Sequence, residues 1–292
     1  MTMIPKEPAN ILEACEFGGL GDIAGGVTYQ ELVELDDCFG KPAIHFAAES
    51  GQLDKIEGRV TAKQLAQARH ANTGKTALHC AAESESLKQI DGGATAQDLI
   101  AARDNKGRTA LHSAVHYETL NQITGGVTIQ QLIDTRDNSG ESAIFINAFW
   151  VNVVEEDLKF DRLAAVRDNH GQTVIHLLAQ HGRLDAIIGE VTAQQLATLR
   201  DDEGTTALQN ALVCCKFSQI KGGLQSGLLT VEELNATLKD VVESGSVNSE
   251  CHDRVQAMIS VGADKNIVRE ALRDEASAVE KSGEMHDWQK DK

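Results

Sequence analysis

The chain has 292 residues, 41% hydrophobic but only 4% aromatic, and three prolines, so small alanine- and leucine-rich packing in largely uninterrupted helices is expected. A formal net charge of −17 with no basic stripe argues against nucleic acid or an anionic membrane surface as partner. Six cysteines (15, 38, 80, 214, 215 and 251) fall in no CxxC or regular framework; with no signal peptide at the start they read as reduced thiols of a cytoplasmic chain, and the longest apolar stretch, 143–154, is too short and too polar to span a bilayer.

In chain order, residues 1–38 carry eight acidic side chains against Lys6 alone, and within them NILEACEFGGLGDIAGG (10–26) reads as a degenerate first unit. A phrase then returns six times. It runs GKPAIHFAAESGQLDKI from Gly40, GKTALHCAAESESLKQI from Gly74 and GRTALHSAVHYETLNQI from Gly107. It continues as GESAIFINAFW from Gly140, GQTVIHLLAQHGRLDAI from Gly171 and GTTALQNALVCCKFSQI from Gly204. The glycine spacings are 34, 33, 33, 31 and 33, a period that predicts a solenoid whose units bury their apolar faces only against one another.

Each unit has three parts. The first is a helix such as 77–84, where Ala81 and Ala82 allow a neighbouring helix to approach closely. The second is a short segment with apolar residues three apart, such as Leu87 and Ile90, stopped by glycine at Gly92–Gly93, Gly125–Gly126, Gly189 and Gly222–Gly223. The third is a small helix opened by a threonine with an acceptor three residues on: Thr28/Glu31, Thr61/Gln64, Thr95/Asp98, Thr128/Gln131, Thr192/Gln195 and Thr230/Glu233. That is the spacing of a capping box, in which hydroxyl and N3 side chain satisfy each other's amides. The leucine that follows each box (Leu32, Leu65, Leu99, Leu132, Leu196, Leu234) is core. A polar turn, Arg-Asp-Asn at 103–105, 136–138 and 167–169 and Arg-Asp-Asp at 200–202, resets the chain. The recurring arginines are expected to stack beside aspartates that neutralise them, which disfavours a phosphate site at Arg69, Arg103, Arg136, Arg167 and Arg200.

On this phrase the chain resembles the ankyrin-repeat family: G-x-T-A-L-H-x-A-A at Gly74–Ala82 is similar to the family's G-x-T-P-L-H-x-A-A, Gly107–Ala114 follows it, and the other four are looser. Alanine or valine stands where the family has proline (Ala43, Ala77, Ala110, Ala143, Val174, Ala207), and the long second helix is divided by the Gly-Gly-Val-Thr segment, a variant that resembles repeats of effector proteins from intracellular bacteria. The resemblance implies an all-α fold, an ankyrin-type solenoid of about six repeats over 10–222 with 10–38 as a degenerate capping repeat. Residues 223–292 form a helical C-terminal cap with a polar tail, with helices near 230–243, 251–261 and 267–281. It also implies that His45, His79, His112 and His176 tie neighbouring turns together with Thr76, Thr109 and Thr173, rather than binding a metal.

In such arrays the concave face uses the turn beside the repeat glycine and the pair nine and ten residues after it. That pair is Glu49/Ser50, Glu83/Ser84, His116/Tyr117, Phe149/Trp150, Gln180/His181 and Val213/Cys214. The candidate partner-binding residues are therefore His116, Tyr117, Phe149, Trp150, Gln180 and His181, with the aromatics concentrated in the two middle repeats as in an interface centre. Phe149 and Trp150 have a second reading: the fourth repeat is short, with Phe145 in the histidine position and Asn147 in an alanine position, and its aromatics fill an irregular unit. The expected function is a non-enzymatic protein–protein interaction scaffold that needs no cofactor, metal, nucleic acid, membrane insertion or small-molecule substrate. A bacterial effector acting on host proteins in the host cytosol is a further expectation. The alternative is an enzyme with catalytic residues in the C-terminal segment, where Cys251–His252 is the candidate pair, and with the repeats as substrate-recognition arm. Cys214–Cys215, before that segment, is the other nucleophile candidate in the chain, and neighbours in sequence on a helix point in different directions.

Overall fold

The computed structural model describes residues 3–146, 158–214, 219–221, 223–243 and 249–268; of 214, 242–243 and 249–254 only the backbone is described. Among the described residues the chain is helical, with isolated single-residue bridges and no strand or sheet. It divides into two compact units, 1–156 and 157–292. Among the described residues no helix is long and apolar enough to cross a membrane.

The first unit contains α1 (Pro8–Phe17), α2 (Tyr29–Glu34), α3 (Ala43–Glu49), α4 (Ala62–Gln67), α5 (Ala77–Glu83), α6 (Ala96–Ala101), α7 (Ala110–His116) and α8 (Ile129–Asp134). Single 3-10 turns follow α1, α3, α5 and α7, at Leu20–Asp22, Leu53–Lys55, Leu87–Gln89 and Leu120–Gln122. The repeat helices pack in series, α1 on α3, α3 on α5 and α5 on α7, while α2, α4 and α6 pack on the repeat helix that follows them. Ala47, Ala48, Ala81, Ala82 and Ala114 are fully buried at these contacts, which lets backbones approach with no side-chain entropy lost. The second unit holds α9 (Phe160–Ala164), α10 (Val174–Gln180), α11 (Ala193–Thr198), α12 (Ala207–Cys214), α13 (Val231–Glu243) and α14 (Ser249–Ser260), with α10 on α12, α12 on α13 and α13 on α14.

The short helices are held by their caps. Both halves of the capping box are formed at Thr28, Thr61, Thr95, Thr128 and Thr192, and the same two contacts join Thr230 and Glu233. A cap of this kind stabilises by about 1 kcal/mol, a large effect for a six-residue helix that does not persist alone. Leu32, Leu65, Leu99, Leu132, Leu196 and Leu234 are all buried, each stabilising by roughly 2 kcal/mol.

Three of the repeat helices, α5, α7 and α10, use a box with histidine as the N3 partner. The Thr76 amide donates to His79 Nδ1 at 3.2 Å, so Nε2 carries the proton and donates to the Arg108 carbonyl of the next repeat at 3.0 Å. His112 and His176 repeat the arrangement, reaching Glu141 and Thr205 at 3.5 and 3.3 Å, and His45 reaches the Lys75 carbonyl at 3.1 Å. All four imidazoles are buried, which holds each below the usual histidine pKa range. These are structural clasps.

The turns carry a second ladder. Arg69 donates to the Arg103 carbonyl at 2.7 Å, Arg103 to that of Arg136 at 2.8 Å, and Arg167 to that of Arg200 at 2.8 Å. Each of these guanidinium groups is occupied by backbone acceptors, so the arginines are not arranged as a phosphate cradle. Asn105 and Asn138 likewise donate to the carbonyls of Asn72 and Asn105.

In the fourth repeat the described part of the first helix is a 3-10 turn, Ala143–Phe145. Phe145 offers no acceptor at N3, and the Ser142 hydroxyl donates back to the Leu132 and Ile133 carbonyls instead of capping. The threonine–histidine box is absent from this repeat, and residues 147–157 lie outside the described ones.

Candidate binding site

The end of α7 presents two of the six expected residues together. α7 stops at His116 because Tyr117 leaves the helix and Glu118 takes a left-handed backbone at φ 62°. Both His116 and Tyr117 are exposed, Tyr117 by 50%, and their rings meet edge-on with centroids 4.8 Å apart. Gln180 and His181 are exposed at the corresponding end of α10, in the other compact unit. Phe149 and Trp150 lie outside the described residues.

Beside His116 and Tyr117 is a cleft of about 460 Å³. Three successive repeats line it: Glu83 from the second, Arg108, His112, Ser113, His116 and Tyr117 from the third, and Glu141, Phe145 and Ile146 from the fourth. The corresponding hollow in the first repeat, among Glu16, Phe46, Glu49 and Ser50, is about 210 Å³.

The residue after the repeat glycine and the residue eight further on meet across the mouth of the first, second and fifth repeats. In the first repeat Lys41 Nζ lies 2.6 Å from Glu49 Oε2, with the ammonium also 4.0 Å from the centre of the Phe46 ring. In the second, Lys75 Nζ lies 2.5 Å from Glu83 Oε2. In the fifth, Gln180 donates to Gln172 at 3.5 Å, which ties one of the expected binding residues to its own repeat. In the third the pair is Arg108 and His116, two groups that do not attract, and this repeat borders the larger cleft. The serines at Ser50 and Ser84 are also occupied, donating to the Cys15 and Ala48 carbonyls of the preceding repeat. Tyr117 stands in the same register with no hydroxyl at that position.

A further aromatic shares this register. Leu20 and Leu53 occupy equivalent 3-10 turns, which aligns Phe17 with Ser50 and Tyr117; Phe17 is 76% exposed at the end of α1. Sequence reasoning passes over it because 10–26 lacks the TALH phrase, although the 33-residue spacing of the two leucines locates it.

Among the described residues no three of His, Cys, Asp and Glu are grouped to hold a metal ion. Cys15 and Cys80 are buried, which pushes the Cys15 thiol up to about 12 and Cys80 higher still, away from nucleophilic use. Cys215 lies outside the described residues, as do the side chains of Cys214, Cys251 and His252. Compared with protein-family models the chain matches none, and compared with curated proteins it matches no relative.

Proposed function

We propose that the chain is a non-enzymatic protein–protein interaction scaffold of the ankyrin-repeat kind, binding a partner protein through the helix-end face of its repeats, with His116 and Tyr117 at the contact centre. The observation that carries this reading is the contrast within one register. Glu49, Glu83, Ser50 and Ser84 are consumed by bonds inside the chain, whereas the His116–Tyr117 pair is exposed beside the 460 Å³ cleft. An exposed tyrosine at the rim of a preformed cleft offers contact area with little ordering entropy to lose, the property of an interface anchor. Phe17 extends the face at the other end of the series α1, α3, α5, α7, and Phe149 and Trp150 are proposed to extend it on the fourth repeat.

The ankyrin reading of the fold draws support from the 33-residue period, the serial packing of α1, α3, α5 and α7, and the threonine–histidine clasp. The test is capture of partners from a eukaryotic host-cell lysate by the wild-type chain and by Tyr117→Ala, with thermal unfolding of both. The expected result is a partner retained by wild type and lost by at least tenfold from the variant, with the melting temperature unchanged. Equal capture by the two proteins, or a melting temperature that collapses with the substitution, overturns it.

A further inference from the structure

We propose that Arg108 and His116 form a seat for a side-chain carboxylate of the partner, at the place where the first two repeats hold a glutamate of their own. This deepens the preceding reading and rests on it.

The chain shows how such a seat is built. Glu49 receives Lys41 on one oxygen at 2.6 Å and the Cys80 thiol of the next repeat on the other at 3.3 Å. Glu83 receives Lys75 on one oxygen at 2.5 Å and the Ser113 hydroxyl of the next repeat on the other at 3.0 Å. In each case a cation directly after the repeat glycine closes on an acid eight residues later, from the end of the repeat helix.

The third repeat keeps the cation and lacks the acid. Arg108 is 60% exposed, and its one ionic contact among the described residues is from Nε to Asp137 at 3.7 Å. The Asp137 carboxylate accepts from the Ser139 amide and hydroxyl and the Glu141 amide on Oδ1, and its Oδ2 faces the Arg108 Nε rather than the terminal nitrogens. The terminal guanidinium nitrogens of Arg108 and the imidazole of His116 have no hydrogen-bond partner among the described residues. A planar guanidinium with free terminal N–H groups beside an imidazole donor suits a carboxylate, which accepts two parallel hydrogen bonds from such a fork.

Glu83, at the same cleft, is held on both oxygens by Lys75 and Ser113, which disfavours a cationic guest there. The guest we assign is therefore a Glu or Asp of a partner segment, with its apolar neighbours against Tyr117, Phe145 and Ile146.

The test uses the full chain and a nine-residue probe peptide, acetylated and amidated so that its one carboxylate is a central glutamate among alanine and leucine, with a glutamine counterpart. Binding is followed through the Tyr117 ring resonances. The glutamate peptide is expected to bind about five- to tenfold more tightly than the glutamine peptide, as for a charge-assisted hydrogen bond at a partly exposed site. Arg108→Met should remove the difference; it leaves the Arg108 carbonyl in place for His79, and its melting curve checks the fold. His116→Glu should also remove it by filling the seat from within. Equal binding of the two peptides, no binding of either, or persistence of the preference in Arg108→Met overturns the proposal. If partner capture is lost in Tyr117→Ala but unaffected by Arg108→Met and His116→Glu, the seat is wrong and the contact reading stands. Capture indifferent to Tyr117→Ala removes both.

Discussion

His79 Nε2 lies 3.0 Å from the Arg108 carbonyl, 29 residues along the chain, while its Nδ1 accepts the Thr76 amide. One buried ring therefore closes a cap within its own repeat and fastens the next. The same ring holds the backbone of Arg108 through its carbonyl, while the Arg108 side chain, 60% exposed, reaches Asp137 through Nε.

His79→Ala should cost about 2–4 kcal/mol, since it leaves a buried Thr76 amide and a neighbouring carbonyl unpartnered and opens a cavity. His79→Gln, which can still accept at N3 as Gln209 does for Thr206 at 2.8 Å, should recover part of that loss. Denaturant unfolding of the three proteins measures it; a loss under 1 kcal/mol in the alanine variant would show that the clasp is dispensable.

Acid should loosen the stack in a window set by the histidines. Burial depresses the folded-state pKa of His45, His79, His112 and His176, so the neutral ring is the stabilising form. Their contribution is complete above the unfolded value of about 6.5 and is lost as pH falls below it toward the depressed folded values. Glu31, lowered to about 2 chiefly by its bond to Lys6, and Asp37, lowered chiefly by the Lys41 amide, add a further loss only below about pH 4. Melting temperature measured from pH 8 to 3 should therefore decline in two stages, and a flat profile between pH 7 and 5 would contradict the histidine part.

Much of the scaffold is legible in the sequence because its devices are local. The Thr61/Gln64 box is complete within one helical turn, and the stop at Gly92–Gly93 needs only a left-handed backbone, found at φ 76° and 75°. The site is less legible because its relations are not local. Lys75 and Glu83 are eight residues apart across a turn and a helix, and their pairing follows only from the fold. From sequence, Gln180 stands beside His116 among the candidate binding residues; in the structure it bonds to Gln172 of its own repeat, as Glu83 bonds to Lys75. Phe17 is hidden by the degeneracy of the repeat that carries it.

Glycine substitutions separate turn strain from close stacking. At Gly107, with φ 75°, a Cβ would lie 2.1 Å from Asn138 Oδ1 and 2.8 Å from the Asn138 amide nitrogen of the next repeat, so Gly107→Ala must push two turns apart. At Gly125, with φ 80°, nothing lies within 4 Å, and Gly125→Ala meets only the left-handed penalty of about 1 kcal/mol. Gly107→Ala should therefore cost at least about 2 kcal/mol more in denaturant unfolding. Equal costs would mean that the contact between Gly107 and Asn138 gives way freely.

The helix ends offer a stabilising change as well. The residue eleven after the repeat glycine is left-handed in four repeats: Gly51 at φ 71°, Glu85 at 60°, Glu118 at 62° and Gly182 at 65°. Glycine enters this region without steric cost, whereas a side chain brings Cβ against the following carbonyl, at about 1–2 kcal/mol. Glu85 is exposed and terminates α5 just after Ser84, so its side chain is not part of the core that would be disturbed. Against the gain stands the extra freedom glycine has in the unfolded chain, about 0.5–1 kcal/mol. Glu85→Gly should thus stabilise by about 0.5–1 kcal/mol, while Glu85→Ala, which keeps the Cβ, should change stability by less than about 0.5 kcal/mol. Gly51→Ala is the reverse change at the same register and should destabilise. Thermal unfolding of the three variants decides the matter: if Glu85→Gly is no more stable than Glu85→Ala, the backbone strain at this register is not what limits the helix end.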